Sequence, residues 1–135
     1  MSTEHVEKIA TRAVIVIDNK VLLGKRGRGS GENKYALIGG KPEGSETPEN
    51  TIVREVEEET GLTFTNPVLW KEIFDSQSVP GEHWHIYFFT GVATGELKLN
   101  KDEILDIIYV SKEDLSTVDI AFNHKEILTA FFNEL

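Results

Sequence analysis

The chain has 135 residues, about the length of one ordinary domain, and its hydrophobic fraction of 39% is enough to form a buried core. Its formal net charge of −9 argues against a nucleic-acid duplex as partner, because duplex binding depends on basic groups that neutralise phosphates. The absence of cysteine excludes disulfides, thiolate metal ligands and thiol nucleophiles. We therefore expect one domain over residues 1–135, in which oxygen or imidazole ligands hold any metal ion.

The N-terminus and the hydropathy pattern predict where the protein acts. The first five residues, Met1 to His5, lack the basic stretch and apolar run of a secretion signal. No later segment has enough consecutive apolar residues to cross a bilayer. The sequence therefore predicts a cytoplasmic protein without a membrane partner.

The first third of the chain predicts a β-hairpin. Residues 8–17 are rich in β-branched side chains, which favour a buried strand. Asp18-Asn19-Lys20 has turn chemistry and leads to a second apolar run at residues 21–23, so the two runs should pair. After a glycine-rich surface loop, residues 35–38 return to extended structure, which Gly39-Gly40 is expected to end.

The middle of the chain predicts a helix. Thr47, Pro48 and Glu49 have the order of an N-cap, a first-turn proline and a first-turn acid, and Gly61 stands where a C-terminal cap belongs. These signals bracket roughly 13 residues, close to the mean length of a helix.

The remainder predicts more strands and a terminal helix. Strands are expected over residues 62–73, 83–92 and 104–110, and turns that contain glycine separate them. Apolar residues recur at helical spacing between residues 123 and 135, which indicates an amphipathic helix. Several strands with two helices make an α/β or α+β domain.

An acidic stripe on the predicted central helix is locally unfavourable. Glu55, Glu58 and Glu59 lie at i, i+3 and i+4, where like charges destabilise a helix by roughly 0.2–0.5 kcal/mol per pair. A solvated acidic face is the general alternative for such a helix. Here the stripe follows Gly39 and Gly40 closely, and Mg²⁺ (or Mn²⁺) prefers carboxylate, carbonyl and water oxygens. A metal site built from these carboxylates and a glycine carbonyl is the functional interpretation.

The same residues resemble the signature of the Nudix hydrolase family. That signature is a glycine, five residues, a glutamate, seven residues, and then Arg-Glu-hydrophobic-any-Glu-Glu-any-Gly-hydrophobic. The chain has Gly40, Glu46 and the run from Arg54 to Leu62, with every specified position filled. The flanks at Val21 to Arg26 and at Tyr109 to Leu115 are similar to the family as well. The resemblance implies an α/β fold of the Nudix type, in which α-helices sandwich a mixed β-sheet.

The resemblance also implies a reaction and the residues that bind metal. Water would attack a phosphorus of a diphosphate, while metal ions neutralise charge and orient the nucleophile. The implied metal ligands are Glu55, Glu58 and Glu59, with the carbonyl of Gly39 or Gly40 as a further contact.

Two other signature residues have roles near the metal. Arg54 is expected to orient Glu55 through an ion pair, and a surface arginine without a role is the alternative. The order of Arg54 and Glu58 is the weaker one for an i, i+4 pair, so we do not expect Arg54 to neutralise the stripe. Glu46 either binds metal through water or fixes the loop before the helix.

The sequence leaves two glutamates as candidates for the general base. In the family the base is either a glutamate of the signature or an acid from a later loop, so the candidates are Glu58 and Glu103. Glu103 lies in a polar loop just ahead of a predicted strand, and a merely solvated loop acid is the alternative.

Three side chains are candidates for substrate contact. Arg26, at the end of the second hairpin strand, is suited to grip a phosphate, and an ordinary exposed strand end is the alternative. Tyr35 and Trp84 are suited to stack on a base, although aromatic residues at strand positions more often belong to the core. Trp84 alternates with two histidines, so only one side of its strand can face a pocket.

The predicted function is cleavage of a phosphoanhydride bond in a nucleoside diphosphate linked to another moiety. Residues 121–128 resemble a stretch near the C-terminus of some Nudix enzymes that act on ADP-ribose, which ranks ADP-ribose-like dinucleotides above nucleoside triphosphates. The alternative is a catalytically silent Nudix-like nucleotide-binding or sensor domain, a class whose signature is usually eroded. The expected partner is a small-molecule nucleotide, with no nucleic-acid duplex and no membrane, and a homodimer is left open.

Overall fold

The computed structural model describes residues 7–135, so the prediction made for Met1 to His5 lies outside the described residues. The elements are β1 (Glu7–Ile17), β2 (Lys20–Arg26), β3 (Tyr35–Ala36), β4 (Ile38–Gly40), α1 (Pro48–Thr60), β5 (Thr63–Asp75), β6 (His83–Thr94), β7 (Ile104–Val110), a 3₁₀ helix (Glu113–Ser116) and α2 (His124–Asn133). Within residues 7–135, neither helix has the length and apolar character needed to span a membrane.

The hairpin between β1 and β2 forms as predicted. Val16 pairs with Val21 and Ile17 with Lys20, which leaves a loop of two residues. Asp18 and Asn19 at this turn have φ values of 52° and 63°. Positive φ at both central residues is typical of the turns that join twisted antiparallel strands.

The extended segment at residues 35–38 differs from its prediction. It is divided at Leu37, because β3 pairs with β2 whereas β4 pairs with β1. Gly39 and Gly40 are the last two residues of β4, so the extended structure ends at the glycine pair as expected, and they lie opposite Arg12 and Thr11. The chain therefore crosses from one part of the sheet to another just before the glycine pair.

The sheet is mixed, and helices cover both of its faces. β1 runs parallel to β6 and antiparallel to β2 and β4. Along β1 and β6, Ala13 and Phe89 belong to the apolar cluster under α1, whereas Val14 and Phe88 belong to the cluster under α2. This alternation follows from the two-residue period of a strand. The predicted mixed sheet between α-helices is confirmed.

Helix α1 begins and ends where the capping residues predicted. The hydroxyl of Thr47 accepts a hydrogen bond from the Asn50 amide at 3.3 Å, and Pro48 occupies the first turn. Gly61 has a φ of 77°, and its amide donates to the Glu57 carbonyl. A left-handed residue at this position favours glycine, which has no Cβ to clash.

Candidate active site

A pocket of about 590 Å³ opens beside the glycine pair. Its wall combines residues of β1, β2, β4, α1 and β6 with the loops that precede β7 and α2. Of the residues predicted for the site, the wall contains Arg26, Gly39, Gly40, Glu55, Glu58, Glu59, Trp84 and Glu103.

The glycine pair lets the backbone approach both β1 and α1. A Cβ at Gly39 would collide with the backbone of Thr11, and a Cβ at Gly40 would collide with the carboxyl group of Glu55. The hydroxyl of Thr11 donates to the Gly40 carbonyl at 3.1 Å. Glycine is therefore required at both positions for the end of β4 to lie against Glu55.

Arg54 donates hydrogen bonds to three acidic side chains around the end of β4. Its Nη1 donates to Glu55 at 2.8 Å and to Glu58 at 3.0 Å, and its Nη2 donates to the Lys41 carbonyl at 3.0 Å. The ion pair expected between Arg54 and Glu55 is therefore present. The expectation that Arg54 leaves the acidic stripe unneutralised is wrong for Glu55 and Glu58, because Glu46 holds the guanidinium where it reaches both of them. Glu59, the third member of the stripe, receives no bond from Arg54.

Glu46 lies in the loop before α1 and fixes that loop. It accepts two hydrogen bonds from Arg54, both at 2.9 Å, one from the Thr51 hydroxyl at 2.8 Å and one from the Glu43 amide at 3.2 Å. These bonds, those from Arg54 and Thr51 above all, lower the pKa of Glu46 to about 2. Of the two roles predicted for Glu46, these contacts are those of a residue that holds the loop.

Glu59 and Glu55 bring two carboxyl groups together out of water. Glu59 is only 6% exposed, and its carboxyl group hydrogen-bonds to that of Glu55. Burial, and then the neighbouring Glu55, raise the pKa of Glu59 to about 9, and burial also raises the pKa of Glu55. Two desolvated carboxylates cannot both ionise without a cation between or beside them.

The donor set fits a divalent cation with oxygen ligands. Oε2 of Glu59 is buried and has no hydrogen-bond partner among residues 7–135, so it is an acceptor without a donor. In the present arrangement those residues hold no group of three acidic or histidine side chains placed to bind a metal ion. Glu58 is instead turned toward Arg54. Binding by all three glutamates would therefore require Glu58 to leave Arg54.

Two arginines face the same pocket. Arg12 donates to the Leu37 carbonyl at 2.8 Å, Arg26 donates to the Ser30 carbonyl at 2.7 Å, and both guanidinium groups lie over the Phe122 ring, at 5.4 and 5.0 Å from its centroid. Burial, and then the charge of Arg26, lower the pKa of Arg12 to about 10. Within residues 7–135 neither arginine forms an ion pair with a carboxylate. The charges of Glu55, Glu59 and Glu103 act on these cations from a distance, and two desolvated arginines without a direct ion pair are suited to bind an anion.

Sequence reasoning missed Arg12 and its neighbour Phe122. Arg12 lies inside a β-branched strand, where a single charged residue is usually taken as solvent-facing. The available signal was that a charged side chain interrupts an apolar run, because such a side chain needs a local polar partner. No local pattern predicts Phe122 as the ring beneath two arginines.

Glu103 reaches the pocket from the loop before β7. Its Oε1 forms an ion pair with Nη2 of Arg28, which lies in the glycine-rich loop after β2. The two loops are also joined by a hydrogen bond of 2.8 Å from the Gly27 amide to the Glu103 carbonyl. Both candidate bases, Glu58 and Glu103, are therefore paired with an arginine.

Of the two aromatic candidates for substrate contact, Trp84 lines the pocket and Tyr35 does not. Trp84 lines the pocket, with its Nε1 bonded to Glu82 at 2.9 Å and the ammonium groups of Lys8 and Lys41 at 5.5 and 5.6 Å from the ring centroid. Tyr35 does not line the pocket. Burial, and then the charge of Asp106, raise the pKa of Tyr35. Its ring packs against the core under α2, because β3 pairs with β2 at the other part of the sheet.

The protein is a mixed sheet between helices, with paired glutamates and paired arginines in one pocket. The NUDIX domain family matches residues 7–131, and the chain belongs to the Nudix family. The resemblance found in the signature is confirmed. Together with its relatives, this membership makes the chain a hydrolase of pyrophosphate bonds.

Relatives of the chain include two ADP-ribose pyrophosphatases. That of Methanocaldococcus jannaschii is 35% identical over 125 residues, which cover 89% of this chain and 70% of that protein. That of Bacillus subtilis is 31% identical over 114 residues, and the match covers 82% of this chain and 61% of that protein, less than two thirds of its length. A MutT NUDIX hydrolase from Burkholderia pseudomallei has a TM-score of 0.83 and 25% identity, over 93% of this chain and 98% of that one.

Proposed function

We propose that the chain hydrolyses the diphosphate link of a nucleoside diphosphate joined to another group, and that ADP-ribose-like compounds are its substrates. The observation that carries the proposal is the pairing of two desolvated glutamates with two desolvated arginines in one pocket. A diphosphate accompanied by a divalent cation supplies the missing opposite charge to both pairs. The two ADP-ribose pyrophosphatases among the relatives support the choice of substrate class.

The carboxylate side of the pocket would hold Mg²⁺ or Mn²⁺. Its ligands would be Glu55, Glu58 and Glu59, with the carbonyl of Gly39 or Gly40 as a further contact. When bound, the ion neutralises phosphate charge and lowers the pKa of a coordinated water. Glu55 and Glu59 would give up the proton that they share, because ligation requires the ionised carboxylates.

The arginine side of the pocket would bind the diphosphate. Arg12 and Arg26 are held from behind by backbone carbonyls and from one side by Phe122, so their remaining N–H groups are preorganised. Charge-assisted hydrogen bonds from arginine to phosphate are among the strongest available to a protein. Trp84 would stack on the base, which would displace the ammonium group of Lys8 or Lys41 from its ring.

Either Glu58 or Glu103 would accept the proton of the attacking water. Both line the pocket, and an arginine holds each of them. Arg54, which holds Glu58, has further partners in Glu46 and Glu55, whereas Arg28 is more exposed and is free to move to a substrate phosphate. Binding of substrate would release Glu103 in this way, so the two candidates differ in when they become available.

The test is a substrate panel with and without a chelator. ADP-ribose, NADH, dinucleoside polyphosphates, nucleotide sugars and nucleoside triphosphates are assayed with magnesium or manganese and then with excess chelator. We expect ADP-ribose-like compounds to have the highest kcat/KM and turnover to stop in the chelator. Full turnover in the chelator would contradict the metal ligands, and tight binding without turnover would favour the catalytically silent binding domain.

The single-domain organisation of residues 1–135, the homodimer and the cytoplasmic location stay predictions. Light scattering coupled to size-exclusion chromatography measures the mass in solution, and a mass twice that of the chain would support the homodimer.

A further inference from the structure

His124 is a buried histidine of the pocket wall that the proposed reaction does not use. It is the first residue of α2, and only 1% of its surface is exposed. Its Nδ1 accepts a hydrogen bond from the backbone amide of Leu37 at 3.1 Å. A ring nitrogen that accepts from an amide carries no proton, so the neutral ring must carry its proton on Nε2.

The charge of His124 is fixed by its surroundings. Burial, and then the charges of Arg12 and Arg26, hold the pKa of His124 well below its usual range. A protonated ring would also lose the hydrogen bond from Leu37, because Nδ1 would then be a donor facing a donor. His124 is therefore a neutral hydrogen-bond donor with a defined direction.

His124 lines the pocket, and its Nε2–H group has no hydrogen-bond partner among residues 7–135. Nε2 is not one of the fully enclosed polar atoms without a partner in those residues, so it keeps some access to solvent. The rings of Phe122 and Phe88 lie beside the imidazole, at 5.3 and 6.1 Å between centroids, and neither offers a lone pair. A donor at such a position normally finds an acceptor, and here the accessible side is the pocket.

The backbone at Phe122, two residues before His124, is strained. Phe122, the ring on which Arg12 and Arg26 lie, has a φ of 57°, a left-handed conformation that is uncommon for an aromatic residue. Such strain persists only where the surroundings impose it, and it clusters at binding sites. The same turn thus sets the position of the two guanidinium groups and of the imidazole.

We propose that His124 contacts the substrate, and that its Nε2–H donates a hydrogen bond to a non-bridging phosphate oxygen held by Arg12 and Arg26. The inference rests on the proposed diphosphate substrate. A third cation at this place would repel the two arginines, whereas a neutral donor adds direction without charge. His124 transfers no proton and stays neutral throughout the reaction.

Two substitutions separate a substrate contact from a structural role. His124→Asn keeps an acceptor for the Leu37 amide at the position of Nδ1 and removes the donor at Nε2. His124→Gln places an amide N–H near the position of Nε2 and removes the acceptor for Leu37. His85→Asn, on the face of β6 away from the pocket, is the matched control.

We expect His124→Asn to lose about 10- to 100-fold in kcat/KM per folded molecule, the usual effect of one hydrogen bond to a charged group. His124→Gln should melt earlier than the parent but keep kcat/KM within about threefold, because its donor remains. His85→Asn should have parent kinetics. If His124→Asn has the parent kcat/KM, His124 is structural and the inference is wrong, while the proposed function stands as long as the parent hydrolyses diphosphates.

Inhibition by inorganic pyrophosphate identifies the acceptor atom. If the acceptor is a phosphate oxygen, His124→Asn should weaken this inhibition by the same factor by which it lowers kcat/KM. Unchanged inhibition with a lower kcat/KM would overturn the phosphate assignment and point to a hydroxyl group of the substrate. The nitrogen resonances of the parent imidazole give a second readout that needs no variant: Nε2 should stay protonated from pH 6 to 8 and shift when pyrophosphate is added, and an unchanged Nε2 would contradict the contact.

Discussion

Glu55 and Glu59 join their carboxyl groups in a hydrogen bond one turn apart on α1, at a point from which water is largely excluded. The bond requires a proton, because two carboxylates only accept. A divalent cation bound there would replace that proton and remove the repulsion between the two groups. The local cost of the acidic stripe thus arises from burial as well as from the helical spacing.

Replacement of Glu59 by glutamine tests the effect of its charge separately from the effect of its packing. Glu59→Gln should abolish turnover, because it removes a proposed metal ligand. It should leave the thermal midpoint in metal-free buffer equal to or above that of the parent, because a neutral amide can bond to Glu55 without a buried charge. Thermal unfolding with and without magnesium measures both effects. Glu57→Gln removes the same charge from the exposed side of α1 and is the control. A Glu59→Gln protein that melts well below the parent without metal would show that Glu59 is structural.

Removal of one arginine should weaken substrate binding, whereas its effects on stability oppose each other, because the bond to the Leu37 carbonyl is lost while a like charge is removed. Arg12→Gln removes one of two like charges that lie side by side, so the repulsion on Arg26 falls. We expect the kcat/KM for ADP-ribose to fall by about 10- to 100-fold, as for a lost hydrogen bond to a charged group. Steady-state kinetics and thermal melts measure the two quantities, with Lys112→Gln on the exposed surface as the control. Parent kinetics for Arg12→Gln would remove Arg12 from the substrate site.

Glu46 should contribute stability that depends on pH. Its pKa in the folded protein, about 2, is below its ordinary value of 4.5, so the folded state favours the ionised carboxylate. The contribution is therefore complete above about pH 4.5 and disappears as the pH falls toward 2. Chemical unfolding of the parent and of Glu46→Gln across this range measures it. A difference between the two proteins that does not shrink on acidification would contradict the ion pair with Arg54 as its source.

Glu103 and Glu58 can be distinguished by their effects on rate. If Glu103 is the base, Glu103→Gln should lower kcat by about 10²-fold or more and scarcely change metal affinity in the free enzyme. Replacement of the true base by glutamine should also remove the fall in rate at low pH that protonation of that base produces. Glu58→Gln is measured beside it over the same pH range. Near-parent rates for Glu103→Gln at every pH would place the base within the signature.

Local sequence determined the elements whose geometry depends on near neighbours. Asp18-Asn19 predicted the hairpin because both residues tolerate positive φ, and Thr47 with Gly61 predicted the ends of α1 because they satisfy helix termini. The signature from Gly40 to Leu62 placed the glutamates on one helix close to a glycine pair, which was enough to predict the reaction class. The residues in each of these relationships lie within about 25 positions of one another, and they follow general rules of local structure and motif spacing.

Only the tertiary structure decided which residues form the arginine side of the pocket. Arg12 meets the Leu37 carbonyl because β1 and β4 pair in one register, and His124 meets the Leu37 amide across 87 residues of sequence. The same pairing of strands divides the extended segment at Leu37 and leaves Tyr35 outside the pocket, although its ring is of a kind suited to stack on a base. Contacts between residues so far apart depend on sheet register and on how α2 packs, neither of which any local pattern in the chain records.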